Sequence, residues 1–245
     1  KDERKIALVE NGEIIEYYED EEDDNRNEGN IYIGVVKDIV KGVKKHGTIV
    51  LKPIKGERGK GIYIISKKGR KYRVGYKSDE YIIPKRKLDK FFSSRITRKY
   101  IFQKYVNSRS LSGDPFDIRV HFEKNGKGKW SIAKIYVRIG IGQTVISNIY
   151  PGGTIVEPKG FLKQNFPDIW KEIYQKLLDL VEIFPYKYEA LRKTDIMSLG
   201  IDIGVDREGN LYIFEANSAP VTEYLRAEVV NYRTQYYNYL VNNNI

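Results

Sequence analysis

The 245-residue sequence predicts an α+β fold with mostly antiparallel sheet, and three observations carry that prediction. Asn11-Gly12 separates two alternating runs, Lys5-Ile-Ala-Leu-Val9 and Ile14-Ile-Glu-Tyr-Tyr18, and such a pair between alternating runs is the strongest short-range hairpin signal. Asn125-Gly-Lys-Gly128 and Asp206-Arg-Glu-Gly-Asn210 play the same part, joining residues 117–123 to 130–138 and residues 199–205 to 211–216. Residues 166–184 instead place Phe166, Ile169, Ile173, Leu177, Leu180, Val181 and Phe184 on one face at three-and-four spacing, the pattern of a core-facing helix. Hairpins with a few long helices define the α+β class.

The remaining elements follow in chain order. After the first hairpin comes a solvated acidic loop over residues 19–30, then a strand expected over Ile31-Tyr-Ile-Gly-Val-Val36. Thr48-Ile-Val-Leu51 is a β-branched run that delivers Lys52, followed by a loop holding Gly56, Gly59 and Gly61 and a strand at residues 62–65. Residues 71–76 and 81–83 read as short strands, residues 88–100 as helical at the start, and Tyr100-Ile-Phe-Gln-Lys-Tyr-Val106 as a strand. A tyrosine-rich helix over residues 223–240 closes the chain.

Composition narrows the chemistry. There is no cysteine and only two histidines, His46 and His121, which removes thiol nucleophiles, zinc-thiolate sites and disulfides and leaves oxygen ligands for any metal. No apolar run approaches the ~20 residues of a membrane span, and the charged start precedes no signal-peptide core. A soluble, cytoplasmic protein with no membrane partner is the expectation. The formal charge of +10 is uneven: residues 1–30 carry twelve acids against four bases, leaving 39 bases and 21 acids in the rest. That surplus suits nucleic acid, nucleotides or acidic polypeptides, and equally an ordinary lysine-rich solvated surface.

Three constellations carry chemistry. The first is Lys52 with Gly56, Gly59 and Gly61, where glycines let backbone N–H groups approach phosphate oxygens and the lysine adds a point charge. A plain glycine-rich hairpin turn explains the same glycines, and the P-loop spacing is absent. The second is Asp202 with Glu215 and Asn217 on two strands joined by a tight turn. Alternation puts Glu215 and Asn217 on one face, and two carboxylates with an amide oxygen suit magnesium. The third is Arg119 and Arg138 on adjacent strands, with Asn148 downstream, since planar guanidinium groups suit two-pronged contact with phosphate or carboxylate.

Two resemblances follow from these residues. Arg4-Lys-Ile-Ala-Leu-Val-Glu-Asn-Gly-Glu-Ile-Ile-Glu-Tyr17 and Gly29-Asn-Ile-Tyr-Ile-Gly-Val-Val36 resemble the start of ribonuclease E/G, where this stretch leads into an RNA-binding OB-fold domain. Over residues 44–225 the sequence resembles the ATP-grasp superfamily, in its YheC/YheD-like, spore-coat-associated branch. The matching text is Ile49-Val-Leu-Lys-Pro53 with the three glycines, Tyr100-Ile-Phe-Gln103, Pro115-Phe-Asp-Ile-Arg-Val120, Val137-Arg138, Ser147-Asn148 with Gly152-Gly153, Leu199-Gly-Ile-Asp-Ile-Gly204, Phe214-Glu-Ala-Asn-Ser218 and Pro220.

Together the two resemblances imply an ATP-grasp fold behind an OB-like segment: an acidic β-rich stretch at 1–43, a lid-type subdomain at 44–110 and a C-terminal subdomain at 111–245. The ATP-grasp resemblance implies that Lys52 contacts ATP phosphates under the loop of Gly56, Gly59 and Gly61. The backbone at Gln103, Lys104, Tyr105 and Val106 would hold adenine. Arg119, Arg138 and Asn148 would serve the transferring phosphoryl group, and Asp202, Glu215 and Asn217 would ligate Mg2+. The implied activity is an ADP-forming ligase acting on ATP and a carboxylate, peptide-like among the options, with spore association as the family's setting. Two features depart from the family: only 46 residues precede Gly47, leaving Lys37, Lys41, Lys44 or Lys45 to supply a second ATP-contacting lysine, and 103–113 holds no acid for the ribose, with Asp114 the next candidate. The rival reading is a degenerate ATP-grasp core serving as an RNA-binding or scaffold protein, in which nucleic acid is the partner.

Overall fold

The computed structural model describes residues 6–10, 13–18, 28–53, 60–77, 79–96, 100–141, 153–192, 195–222 and 225–244, with side chains from residue 36 onward. It divides into two compact units, one built chiefly from residues 19–115 and 139–154, the other from residues 5–18, 116–138 and 155–245.

The first unit is a five-stranded antiparallel sheet with helices on one face. Its strands are β3 (Thr48–Pro53), β4 (Tyr63–Lys68), β5 (Lys71–Tyr76), β6 (Asp79–Pro84) and β7 (Tyr100–Lys104), in the order β6-β5-β4-β3-β7. Helices α1 (Glu28–His46) and α2 (Leu88–Ser93) supply Ile39, Val43, Leu88 and Phe92 to a core with Ile49, Leu51, Tyr63, Ile65, Tyr72 and Val74. The strand expected at Ile31–Val36, and with it the OB-like continuation, is therefore a helix that runs unbroken to His46. The reason lies beyond the β-branched residues: Val36, Ile39, Val40 and Val43 repeat with helical period and all pack on this core, and tertiary burial overrides local β propensity. Gly42 is where α1 meets β7, since a Cβ there would stand 2.9 Å from the Phe102 ring.

The second unit holds the β1 (Ile6–Glu10) and β2 (Glu13–Tyr18) hairpin as anticipated, and a second five-stranded sheet. That sheet contains β8 (Phe116–Lys124), β9 (Trp130–Gly140), β10 (Gly153–Val156), β11 (Ser198–Val205) and β12 (Leu211–Asn217), ordered β10-β9-β8-β11-β12. A separate helix not expected from the sequence, α3 (Pro158–Asn165), precedes α4 (Trp170–Arg192); α4 is the helix expected at 166–184, starting four residues later and running on past Phe184, with Phe166 buried in the turn between the two. Glu157 ends the preceding segment by accepting the N–H groups of Lys159 and Gly160, and Pro158 opens α3, a favoured N-terminal combination. The closing helix is α5 (Arg226–Asn243).

Alternation along β8 and β11 builds two unlike faces. Phe116, Ile118, Val120 and Phe122, with Leu199, Ile201, Ile203 and Val205, form an apolar face that is all but fully buried, and Phe116 meets the rings of Phe161 and Phe166. The opposite face carries Asp117, Arg119, His121 and Glu123 on β8 and Ser198, Gly200 and Asp202 on β11. The β11–β12 register shifts by one residue between Asp202 and Ile203, a β-bulge.

Ile201 sits opposite Val120 on one side and Ala216 on the other, with no exposed surface. Replacing it with alanine leaves a cavity in the central strand and should lower the unfolding free energy by about 2–5 kcal/mol. Urea titration of the whole chain, with an unchanged denaturant slope, checks this.

Candidate functional site

The ionic face of the second sheet gathers four groups from three adjacent strands. Arg138 on β9 donates to both oxygens of Asp117 at 2.7 Å each and reaches Asp202 Oδ2 at 2.9 Å. Arg119 on β8 donates through Nε to Asp202 Oδ1 and through Nη2 to Oδ2 at 2.8 Å. Two guanidinium groups and two carboxylates thus neutralise each other in a nearly dry setting, with side-chain exposures of 6–14%. Burial alone would push the Asp202 carboxyl up, but the charges and hydrogen bonds of Arg119 and Arg138 outweigh it and hold it below the usual carboxylate range. Burial likewise opposes the charge on Arg138, and Asp117 and Asp202 outweigh it, so the guanidinium keeps its proton well beyond its ordinary value.

β12 adds the other two members of the predicted oxygen set. Glu215 pairs with Asp202 across the register and Asn217 pairs with Gly200, so Asp202, Glu215 and Asn217 share one face at one end of the sheet. Glu215 is exposed, whereas the Asn217 amide oxygen accepts the Ala219 N–H at 2.9 Å and so shapes its own turn. Just beyond, Arg192 at the end of α4 donates to Ser218 Oγ at 3.2 Å. Gly200 keeps room for the cluster: a Cβ there would lie 2.8 Å from Pro220 Cβ and 3.1 Å from an Arg119 Nη1. Among the described residues no three His, Asp or Glu side chains stand together as a cation cage.

A second buried cluster continues the same face toward α5. Glu123 accepts Ser198 Oγ at 2.8 Å, both prongs of Arg233 from α5 at 3.1 and 3.2 Å, and His121 Nε2 at 2.8 Å. A carboxylate only accepts, so the imidazole proton sits on Nε2, and the buried Nδ1 has no hydrogen-bond partner among the described residues. Burial would raise the Glu123 carboxyl; the bonds from His121, Arg233 and Ser198 prevail and lower it.

The lysine constellation lies in the first unit. Ile49 and Leu51 face the helices, so Val50 and Lys52 face the other way, and their register partners Gln103 and Ile101 stand on that same face. Gly61 closes the loop at φ +79, with the Tyr100 hydroxyl 2.6 Å from where its Cβ would be, so only glycine fits there. After β7 the Tyr105 N–H bonds Thr48 O at 3.1 Å, and Val106 O accepts the Ser108 N–H at 2.9 Å. Gly56, Gly59 and Asn148 lie outside the described residues.

Several residues of these clusters escaped the reading of the sequence: Asp117, His121, Glu123, Ser198, Arg192 and Arg233. A signal was present in Asp117-Ile-Arg-Val-His-Phe-Glu123, where four ionisable residues alternate with four apolar ones once Phe116 is included. A strand buried on both faces with such alternation must pair its charges internally.

Two antiparallel sheets, a lysine strand closing on a glycine, and an ionic sheet face bearing Asp, Glu and Asn in register define an ATP-grasp fold. Residues 32–241 match the family described as YheC/D like ATP-grasp, and the chain belongs to that family. The match begins inside α1 and crosses residues 41–44 without interruption, so the helix is part of the family's fold and the likeness of residues 4–41 to ribonuclease E/G finds no support. The endospore coat-associated proteins YheC and YheD of Bacillus subtilis (strain 168) are relatives, 30% identical over 192 residues and 26% over 189. The matches take in 73% and 70% of this chain but 50% and 39% of YheC and YheD, so the chain spans half or less of their length. Solved structures with a similar fold include D-alanyl-alanine synthetase A from Vibrio cholerae (14% identity, TM-score 0.48, 85% of this chain and 56% of that one). Another is N5-carboxyaminoimidazole synthetase from Staphylococcus aureus complexed with ADP (13% identity, TM-score 0.44, 76% and 38%). No described helix is long and apolar enough to cross a membrane.

Removing one partner of a buried ion pair leaves the other charge uncompensated, at a cost of about 3–5 kcal/mol. Asp117→Asn should therefore destabilise by an amount of that order, read from denaturant unfolding. Glu123 supplies a pH signature. Its folded carboxyl lies below the unfolded value of about 4.3, so its contribution is complete above that pH and fades as pH falls through the lower folded value. Between pH 7 and pH 3 the wild-type urea midpoint should fall more steeply than that of Glu123→Gln.

Proposed function

We propose that the chain is an ATP-binding, magnesium-dependent, ADP-forming ligase of the ATP-grasp type, joining a carboxylate to an amine or similar nucleophile. The observation that carries this reading is the register of β11 on β12, which aligns Asp202, Glu215 and Asn217 on one face beside two arginines.

The donor set suits a hard divalent cation, for carboxylate and amide oxygens are what magnesium accepts alongside water and phosphate. Glu215 and Asn217 would hold it with Asp202, where it would supply positive charge against the charge that builds on the phosphate oxygens. Lys52 would bind the phosphates as a point charge, and the segment from Gln103 to Val106 would border adenine. In the first step a carboxylate oxygen attacks the terminal phosphorus of ATP, and the bond to the bridging oxygen breaks to release ADP. In the second the nucleophile attacks the acyl carbon and phosphate leaves with the bonding pair. Arg119, and Asn148 downstream, would steady the transferring group. Arg138, clasped by Asp117 at two points, would fix the position of Asp202. Positioning and electrostatics suffice for such a reaction, which agrees with a chain lacking cysteine. The relatives are endospore coat-associated proteins, which supports a spore setting for this chain, and a peptide-like carboxylate is one substrate class this reading allows.

Isothermal titration with ATP and magnesium tests the reading. A charge-assisted contact is worth about 1.5–3 kcal/mol, so Lys52→Ala should weaken ATP binding about 10- to 100-fold, and Glu215→Ala should abolish its magnesium dependence. Absence of ATP binding by the wild type, or unchanged binding in both variants, would sink it.

A further inference from the structure

One end of the first unit's sheet carries a row of cations that no described residue pairs. Lys68 and Lys71 are direct register partners across the β4–β5 hairpin, and like charges directly opposite each other destabilise an antiparallel pair. The turn between them contains Gly69 at φ +59, around which nothing approaches within 4 Å, and exposed Arg70. Lys71 pairs in turn with Pro84, the last residue of β6, and the chain leaves it as the exposed turn Lys85-Arg86-Lys87. On the other side Thr48 pairs with Ser66, just before exposed Lys67, and the last turn of α1 brings exposed Lys44 and Lys45 to the start of β3.

These nine side chains have no ion-pair or hydrogen-bond partner among the described residues. The acids of β6 stand at its opposite end, where Glu80 pairs with Arg73 at 3.4 Å; Asp89, in the first turn of α2, is the acid nearest in sequence. A local arrangement that opposes stability without a compensating contact points to a use outside the fold.

We infer that this edge of the β6-β5-β4-β3 sheet binds the phosphodiester backbone of single-stranded nucleic acid without selecting bases. Seven of the nine cations are lysine, a point charge that suits phosphate in many orientations, whereas carboxylate recognition favours the arginine fork. The row offers no aromatic and no amide side chain for base edges or stacking. Four strands about 4.8 Å apart span roughly 14 Å, and the nine cations spread over them can meet on the order of four phosphates of a flexible single strand. The edge is remote in register from Lys52, so this binding is independent of the ligase reading.

Fluorescence polarisation with a labelled mixed-sequence single-stranded RNA is the test, in parallel with ATP titration. For about four phosphates on a single strand, log affinity against log salt should fall with a slope near −3, and Lys68→Ala/Lys71→Ala/Lys85→Ala should reduce that slope by about 2. The triple variant should bind RNA at least about tenfold more weakly at low salt and bind ATP as the wild type does. Lys71→Glu turns the repulsive pair into an attractive one, so its melting temperature should equal or exceed the parent's while RNA affinity falls. No RNA binding by the wild type, an unchanged slope in the triple variant, or unchanged affinity in Lys71→Glu overturns the inference. So does displacement of RNA by ATP, and so does tighter binding of polyglutamate of equal charge, which would assign the edge to acidic polypeptides.

Discussion

The ion network of Asp117, Arg138, Asp202 and Arg119 is the constraint around which the second unit is arranged. It reaches across β9, β8 and β11, and each member is held by at least one partner on a neighbouring strand. Charges so deeply placed are tolerable only when fully paired, which dictates much that surrounds them. The other face of the same strands must be apolar to hold the sheet together. Gly200 must lack a side chain so that Arg119 and Pro220 fit beside it. α5 must bring Arg233 to Glu123, because that carboxylate is as buried as the others. Removing any one of these groups would strand a charge instead of merely loosening a contact.

That network also bears on chemistry. With both Asp202 oxygens engaged by guanidinium groups, a cation drawn to Asp202, Glu215 and Asn217 would meet an Asp202 carboxylate whose charge is already balanced. Asp117 separates the two arginines in character: Arg138 is clasped at two points by Asp117 and also reaches Asp202, while Arg119, among the described residues, is bonded to the Asp202 carboxylate. The arginine with fewer bonds is the one that can reorient at lower cost when another anion arrives.

Much of this architecture is legible in the sequence, for identifiable reasons. Hairpins at Asn11-Gly12, Asn125–Gly128 and Asp206–Asn210 declare themselves through turn residues, and the core face of α4 through its spacing. The first strand-like segment after the acidic stretch misleads because β-branched residues dominate its opening, while the helical repeat that decides the matter comes later, at Val36, Ile39, Val40 and Val43. Asp117 and Glu123 stay hidden for another reason. A sequence shows which residues can carry charge, but not that both faces of β8 are covered, and only that coverage forces the acids into partnership with Arg138 and Arg233.

The irregularity between Asp202 and Ile203 has a consequence of parity. On the turn side of it Ile203 faces Ile213, so an uninterrupted ladder would set Phe214 opposite Asp202 and Glu215 opposite the wholly enclosed Ile201. The single extra residue inverts the sidedness of the strand's final stretch, carrying Glu215 and Asn217 from the oily side to the ionic one. Phe214 is that residue, and its ring lies where any side chain on residue 204 would go, a Cβ there falling 2.0 Å from the ring. A glycine on one strand and a supernumerary phenylalanine on the next thus form one device: together they decide which side of the sheet the last two polar groups of β12 belong to.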